Sequence, residues 1–274
     1  MKLPNINKKR IIKLLNEKKR LDNRETFEFR DIVIETGVSK KAEGSSRVKI
    51  GKTEVIVGVK MDTQDPYTDH ADEGTMVTSM EFSPIAHERY ESGPPKMDSI
   101  EIARVVDRGI RESGYIDWKK LCIKEGEKVW SINIDIYCIN DDGNVMDASS
   151  IGAVAALRVA RFPVYDEKEE AVKYGELSDK ELPLTENVPF SMTFYKIGES
   201  IVCDPNRDEE DASEARMTIA ISLLKKEKMI NSMQKGGIIP ITGDELKTMA
   251  EVADKVYDEV FPNIDKQVKS LMGK

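Results

Sequence analysis

Between Ile201 and Ala220 the chain reads IVCDPNRDEEDASEARMTIA. A short apolar run ends at Asp204-Pro205, a loop carries Asp208, Glu209, Glu210, Asp211 and Glu214, and a second apolar run starts at Met217. Strand, acidic hairpin, strand is a way to hold carboxylates at the mouth of a site, where they position a divalent cation or exchange a proton with a leaving group. Yet the residue that opens the second strand is Arg216, whose guanidinium stays protonated and can do neither. Two readings follow. In one, Asp204, Asp208, Asp211 and Glu214 surround a metal and make the chain a self-sufficient hydrolase or nuclease. In the other, the hairpin is a solvated turn and the chemistry comes from elsewhere.

Arg104, Arg108 and Arg111 form a second group, spaced i, i+4 and i+7 and so on one face of a helix over 99–112. Arginines so placed can grip phosphates bidentately without any base preference. The competing reading pairs Glu101 with Arg104 and Asp107 with Arg111 within the helix. From Lys2 to Arg24, nine basic residues meet two acids, on a chain whose net charge is −8. A basic arm on an acidic body fits a local electrostatic role or a partner contact, whereas the overall charge argues against a general nucleic-acid coat. Aromatic residues are only 6% and do not interleave with the basic ones, so base stacking is not expected to be the main mode of any RNA binding.

The elements that must position these groups are legible. Residues 5–19 read as an amphipathic helix, and strands are expected at Phe27–Ile34, Ser46–Ile50, Glu54–Lys60, Met76–Phe82 and Val129–Ile139. Asp98 and Glu101 read as the capping box of the 99–112 helix. A small-residue helix follows over Ala148–Val159, then a polar linker around 165–188. Further strands are expected at Phe190–Ile197, Ser200–Cys203, Met217–Leu224 and Lys228–Gln234, before a helix that Thr242 and Glu245 cap. Cys122, Cys138 and Cys203 read as reduced core thiols of a cytoplasmic protein, not as a disulfide framework or zinc site, and His70 and His87 as surface residues. No cofactor is expected. No apolar run approaches the roughly 20 residues of a membrane span, and the N-terminus is too charged for a signal peptide.

Four ordered blocks carry a resemblance. In RLDNRETFEFRDIVIETGV (20–38), Arg20, Asp22, Arg24, Arg30 and Gly37 fit the entry signature of the RNase PH family. The match continues through PPKMDSIEIARVVDRGIRESGYIDWKKLCI (94–123), DDGNVMDASSIGAVAALRVARFP (141–163) and DPNRDEEDASEARMTIAI (204–221). Over essentially its whole length the chain resembles this family, and in particular the non-catalytic RNase PH-like ring subunits of the archaeal exosome, a 3′→5′ RNA-degrading machine. The resemblance implies an α+β, RNase PH-like fold of duplicated βαβα-type halves with mixed sheets and packed helices. One such domain would span 1–274, with a core half at 20–163, a second half at 188–274 and the basic helix at 5–19.

It also implies partners: a catalytic RNase PH-like subunit in a hexameric ring, a trimer of heterodimers, with RNA-binding cap subunits and single-stranded RNA. The reaction of the active members is phosphorolysis. Glu209, Glu210 and Asp211 match the first part of their acidic pattern, but Arg216 stands where they carry an Asp, a lost catalytic position. Where they carry a phosphate-holding Gly/Ser/Arg turn, this chain has Asn144, Val145 and Met146, followed by Asp147. The resemblance thus implies no catalysis by this chain, and RNA binding by Arg104, Arg108 and Arg111 beside the partner's site. It leaves the basic helix as an RNA funnel wall, a docking surface or a cover for the sheet. The metal-dependent nuclease and a homo-oligomeric scaffold remain the alternatives.

Overall fold

The computed structural model describes residues 5–225 and 227–271. Helix α1 (Asn5–Asn16) precedes a six-stranded sheet of β1 (Ile32–Thr36), β2 (Gly44–Ile50), β3 (Thr53–Gln64), β4 (Thr75–Phe82), β5 (Cys122–Lys124) and β6 (Lys128–Asn140). Its order is β1-β2-β3-β6-β4, with β5 on β6 and β4 the one parallel member. In β3 the alternation is clean: Val55, Val57, Val59 and Met61 are fully buried on one face. Helices α2 (Met97–Glu112) and α3 (Val145–Val159) belong to this half by sequence. Next comes a two-stranded hairpin of β7 (Arg161–Asp166) and β8 (Ala171–Glu181). The second sheet, β9 (Phe190–Ile197), β10 (Ser200–Cys203), β11 (Ala215–Leu224) and β12 (Glu227–Gly237), is antiparallel in the order β10-β9-β11-β12. A short helix α4 (Arg207–Ala212) sits between β10 and β11, and α5 (Gly243–Leu271) closes the chain.

Helices α2 and α3 each touch both sheets and form the layer between them. The Ala/Gly/Ser composition of α3 explains why it can be central. Every residue from Val145 to Leu157 is buried, and a Cβ on Gly152 would come within 2.7 Å of Val57 Cγ2. The two halves therefore share one apolar core, from Ile32 on β1 to Val268 on α5.

Several boundaries differ from expectation. The stretch from Glu25 to Asp31 is not strand, because arginine side chains hold it, as described below; β1 starts at Ile32. Asp98 is not the N-cap of α2: the helix starts at Met97, Lys96 occupies the cap position without a side-chain bond, and Glu101 is engaged elsewhere. The polar linker proves to be β8, a strand exposed on both faces that buries no stripe to betray it. Within the acidic loop, Asn206 and Glu209 form a reciprocal capping box that starts α4. The capping box of α5 is present as read, with Thr242 N donating to Glu245 and Glu245 N to Thr242 Oγ1.

Candidate nucleic-acid interface

The acidic segment is held by the arginines of the 20–30 signature. Asp204 is fully buried with φ +44, a left-handed backbone that a non-glycine residue adopts only under constraint. Its carboxylate accepts from the Arg30 backbone N (2.8 Å), from Arg30 Nε and Nη2 (2.9 and 2.7 Å), from Arg24 Nη1 (3.0 Å) and from Asn144 Nδ2 (2.9 Å). Burial, the largest single influence, would raise its pKa, but the hydrogen bonds and charge of Arg30 with the Asn144 bond together outweigh burial and hold it below the usual carboxylate range. Arg20, itself buried, donates to both oxygens of Glu209 and to the carbonyls of Cys203 and Asp204. The signature is thus a clamp that ties the chain ahead of β1 to the turn after β10.

This overturns the metal reading of the hairpin. Asp204 is spent on Arg30 and Arg24, Asp211 on Arg89 and Arg207, and Glu214 on Lys8, while Asp208 is exposed. The four carboxylates do not converge, and among the described residues no group of three or more His, Cys, Asp or Glu forms a metal-binding set.

Beside the hairpin lies a cleft of about 230 Å³ bounded by α2, the start of α3, α4 and the first residues of β11. Arg216 reaches across it to Glu101 on α2 at 2.5 Å, with its guanidinium laid against the backbone of Gly236, its neighbour on β12. Arg207 binds Asp141 (2.8 Å) and Asp211 (2.7 Å), and Arg89 grips Asp211 with both terminal nitrogens. Tyr90 donates to Asp141, and burial together with that carboxylate pushes its phenol far above the ordinary range. Arg89, Arg207 and Arg216 and the carboxylates Glu101, Asp141, Glu210 and Asp211 form the ion pairs here, so each guanidinium is spent on a resident acid.

The place where an anion would dock is also filled. The N-terminus of α3 carries orphan N–H groups and a positive dipole end suited to phosphate. There the Asn144 N–H donates to Glu210 at 2.9 Å, so a resident carboxylate occupies that end. Asn144 takes a left-handed backbone and Asp147 is completely buried, accepting from Thr193 N and Oγ1 and from Asn144 Nδ2. Burial raises the Asp147 pKa to about 7.

Arg104 and Arg108 are exposed, and neither has an acid partner among the described residues. The Glu101–Arg104 pair of the competing reading is absent because Glu101 is turned to Arg216. Arg111 is different. It binds both oxygens of Asp107, donates to the Met76 carbonyl and lies 5.3 Å from the Trp118 ring centre. It is committed to the fold, and the other two are the cations that α2 offers outward. Sequence reasoning missed Arg89, Tyr90, Asp141 and Arg207 as cleft residues. Arg89 finds Asp211 across 122 positions, and no spacing rule reaches that far.

Residues 28–163 match the family model for domain 1 of the 3′ exoribonuclease family, RNase PH, and residues 187–256 match that for domain 2. The exosome complex component Rrp42 of Methanocella arvoryzae is 45% identical over 243 residues, covering 89% of each chain. That of Methanothermobacter thermautotrophicus is 42% identical over 266 residues and 97% of each chain. A solved structure, described as an Archaeoglobus fulgidus exosome with RNA bound to the active site, superposes with TM-score 0.83 at 37% identity, covering 93% of this chain and 98% of the other. The chain belongs to the RNase PH family of 3′ exoribonucleases and carries both of its domains.

Proposed function

We propose that this chain is a non-catalytic ring subunit of an archaeal exosome. It alternates with a catalytic RNase PH-like subunit in a hexamer made of three heterodimers, under RNA-binding cap subunits. The single observation that carries the reading is the closed cleft. Its arginines are each spent on resident carboxylates, Glu210 fills the α3 N-terminus, and Arg216 stands where an acid would work. Phosphorolysis needs inorganic phosphate to attack the 3′-terminal phosphodiester, expelling the shortened RNA's 3′ oxygen and releasing a nucleoside diphosphate. A cleft that neither admits the anion nor offers a free acid supports neither step. What the chain can supply is charge. Arg104 and Arg108, one turn apart on an anchored helix, can hold RNA phosphates beside the partner's site, with no sequence preference. Unpaired thiols at Cys122, Cys138 and Cys203 suit a reducing cytoplasm.

The test is phosphate-dependent shortening of labelled oligoadenylate by this chain alone, by an RNase PH-like partner carrying the missing Asp, and by the two together. Activity confined to samples that contain the partner, and highest in the assembled ring, is expected. Shortening by the lone chain at the rate of the mixture would refute the reading. Arg104→Glu with Arg108→Glu should weaken RNA binding by the ring at least about tenfold, since each reversed cation loses a phosphate contact. Ring mass should stay unchanged.

A further inference from the structure

Helix α1 is a rigidly mounted strip of unpaired cations. Ile11 and Leu15 are buried against Tyr195, Ile197, Val202 and Ala212, and Ile12 lies against Gly198. Lys8 donates to Glu214 at 2.9 Å, and the clamp residue Arg20 fixes the chain just beyond the helix. Outward from this mount point Lys9, Arg10, Lys13, Lys18 and Lys19, all exposed and none with an acid partner among the described residues. Between Asn5 and Lys19 there are six basic residues and one acid, Glu17, on a chain of net charge −8. Five exposed, unpaired cations on a chain of net charge −8 make a local positive strip that a polyanion can meet.

The position of the strip matters as much as its sign. Glu214, which holds α1 through Lys8, is two residues from Arg216, which holds α2 through Glu101. The two cation-bearing helices are thus moored to the same short segment at the mouth of β11. We infer that α1 is a second RNA-backbone contact, which takes the phosphates of single-stranded RNA beyond those held by Arg104 and Arg108. This rests on the RNA-positioning reading of α2 and extends it. The helix is about 18 Å long, so its cations meet a run of phosphates, not a single one. The chemistry selects a flexible polyanion over an acidic protein. Protein contacts are centred on apolar and aromatic side chains and depleted in lysine, and the one large apolar side chain exposed on α1 is Ile6, at its N-terminal end.

The experiment uses the assembled ring with Lys9→Glu, Arg10→Glu and Lys13→Glu together, and a milder set, Lys9→Gln, Arg10→Gln and Lys13→Gln, in case charge reversal disturbs folding. Lys8 is left in place to keep the helix moored. Binding of labelled oligoadenylates of about 6 and about 30 nucleotides is measured across a salt series. For the long RNA the affinity of the reversed ring should fall about tenfold relative to the short one, and the logarithmic salt slope should flatten by about 2, as three phosphate contacts are lost. The Gln set should move both in the same direction by a smaller amount. An unchanged ratio of long to short affinity, or an unchanged slope, would overturn the inference. So would loss of the ring or of its cap from the reversed complex, which would assign the strip to an acidic protein surface. Failure of the α2 reading shows separately: Arg104→Glu with Arg108→Glu would then leave the short oligonucleotide's affinity intact.

Discussion

An arginine is expensive to bury, and this chain buries Arg20 almost completely while sinking most of Arg30. The cost is met only because Glu209 and Asp204 lie opposite with full hydrogen-bond sets, and the dependence runs both ways. Arg30→Gln would take the two guanidinium bonds from Asp204, which has no exposed surface, and leave it one charged partner, Arg24, beside Asn144 and the backbone N–H of residue 30. The expected loss is about 3 kcal/mol of unfolding free energy in urea, the scale for breaking one partner out of a buried pair. A second buried carboxyl gives a pH signature. Asp147 sits among Asn144 and Thr193, with Asp204, Cys203 and Tyr195 nearby, and burial raises its folded pKa to about 7 from an unfolded value near 3.8. The folded state therefore holds this proton more tightly than the unfolded one. That contribution to stability is complete below about pH 4 and is lost as pH rises towards 7, on the order of 4 kcal/mol for a shift of this size. Asp147→Asn, which mimics the protonated form and can donate to Thr193 Oγ1, should flatten stability between pH 4 and 7. Urea titrations across that range read it, and an unchanged slope would show that Asp147 stays ionised in the fold.

Elements whose apolar residues keep a strict period were legible: β3, β9 and α2 lie where their patterns placed them, and α5 follows the cap that announced it. What escaped was held by something other than a stripe. β8 turns polar and charged side chains to both faces, so its alternation carries no contrast. The short α4 is made by a capping box inside a run of acids that reads as a solvated loop. The cleft was legible only by its loss, Arg216, because its ion pairs join α2, the turn before α3, α4 and β11 across the chain. One turn joins these elements: Gly143, with φ +87, packs so closely that a Cβ would lie 2.6 Å from the Pro205 carbonyl oxygen and the Asn206 carbonyl carbon. Both atoms are backbone and cannot swing aside. Gly143→Ala must move the start of α4 or the turn itself, at a cost of roughly 3 kcal/mol or more, since it adds a steric clash to a left-handed backbone. Thermal unfolding would show it as a clear drop in midpoint, whereas Gly126→Ala shares the left-handed backbone but meets nothing within 4 Å and should cost less.

At the scale of the whole molecule, the family's fold is intact, and on the proposed reading more than a single side chain separates it from the family's chemistry. The ion-pair network of the cleft holds three guanidiniums and four carboxylates, a balance of −1 (3 − 4), and Asp98 and Glu214 line the cleft besides. Arg216→Asp would restore an acid at the lost position and take the balance to −3 (2 − 5). It would set the new carboxylate beside Glu101 and leave Glu210 on the α3 N-terminus. Inorganic phosphate would meet a more negative pocket whose one anion-binding helix end is already taken, and like charges brought together there repel instead of cooperating. The variant should therefore release no nucleoside diphosphate from oligoadenylate on its own, at any phosphate concentration that supports the ring. Adding Glu210→Gln, which frees part of that helix end, should still fall short, because no cation is left unpaired to grip the anion. Nucleoside diphosphate release from the single variant would mean that the closed cleft is not what keeps the chain from catalysis. Its absence from both variants, with activity retained in rings that contain the partner, would place the chemistry in the assembly and leave this subunit the task of presenting RNA to it.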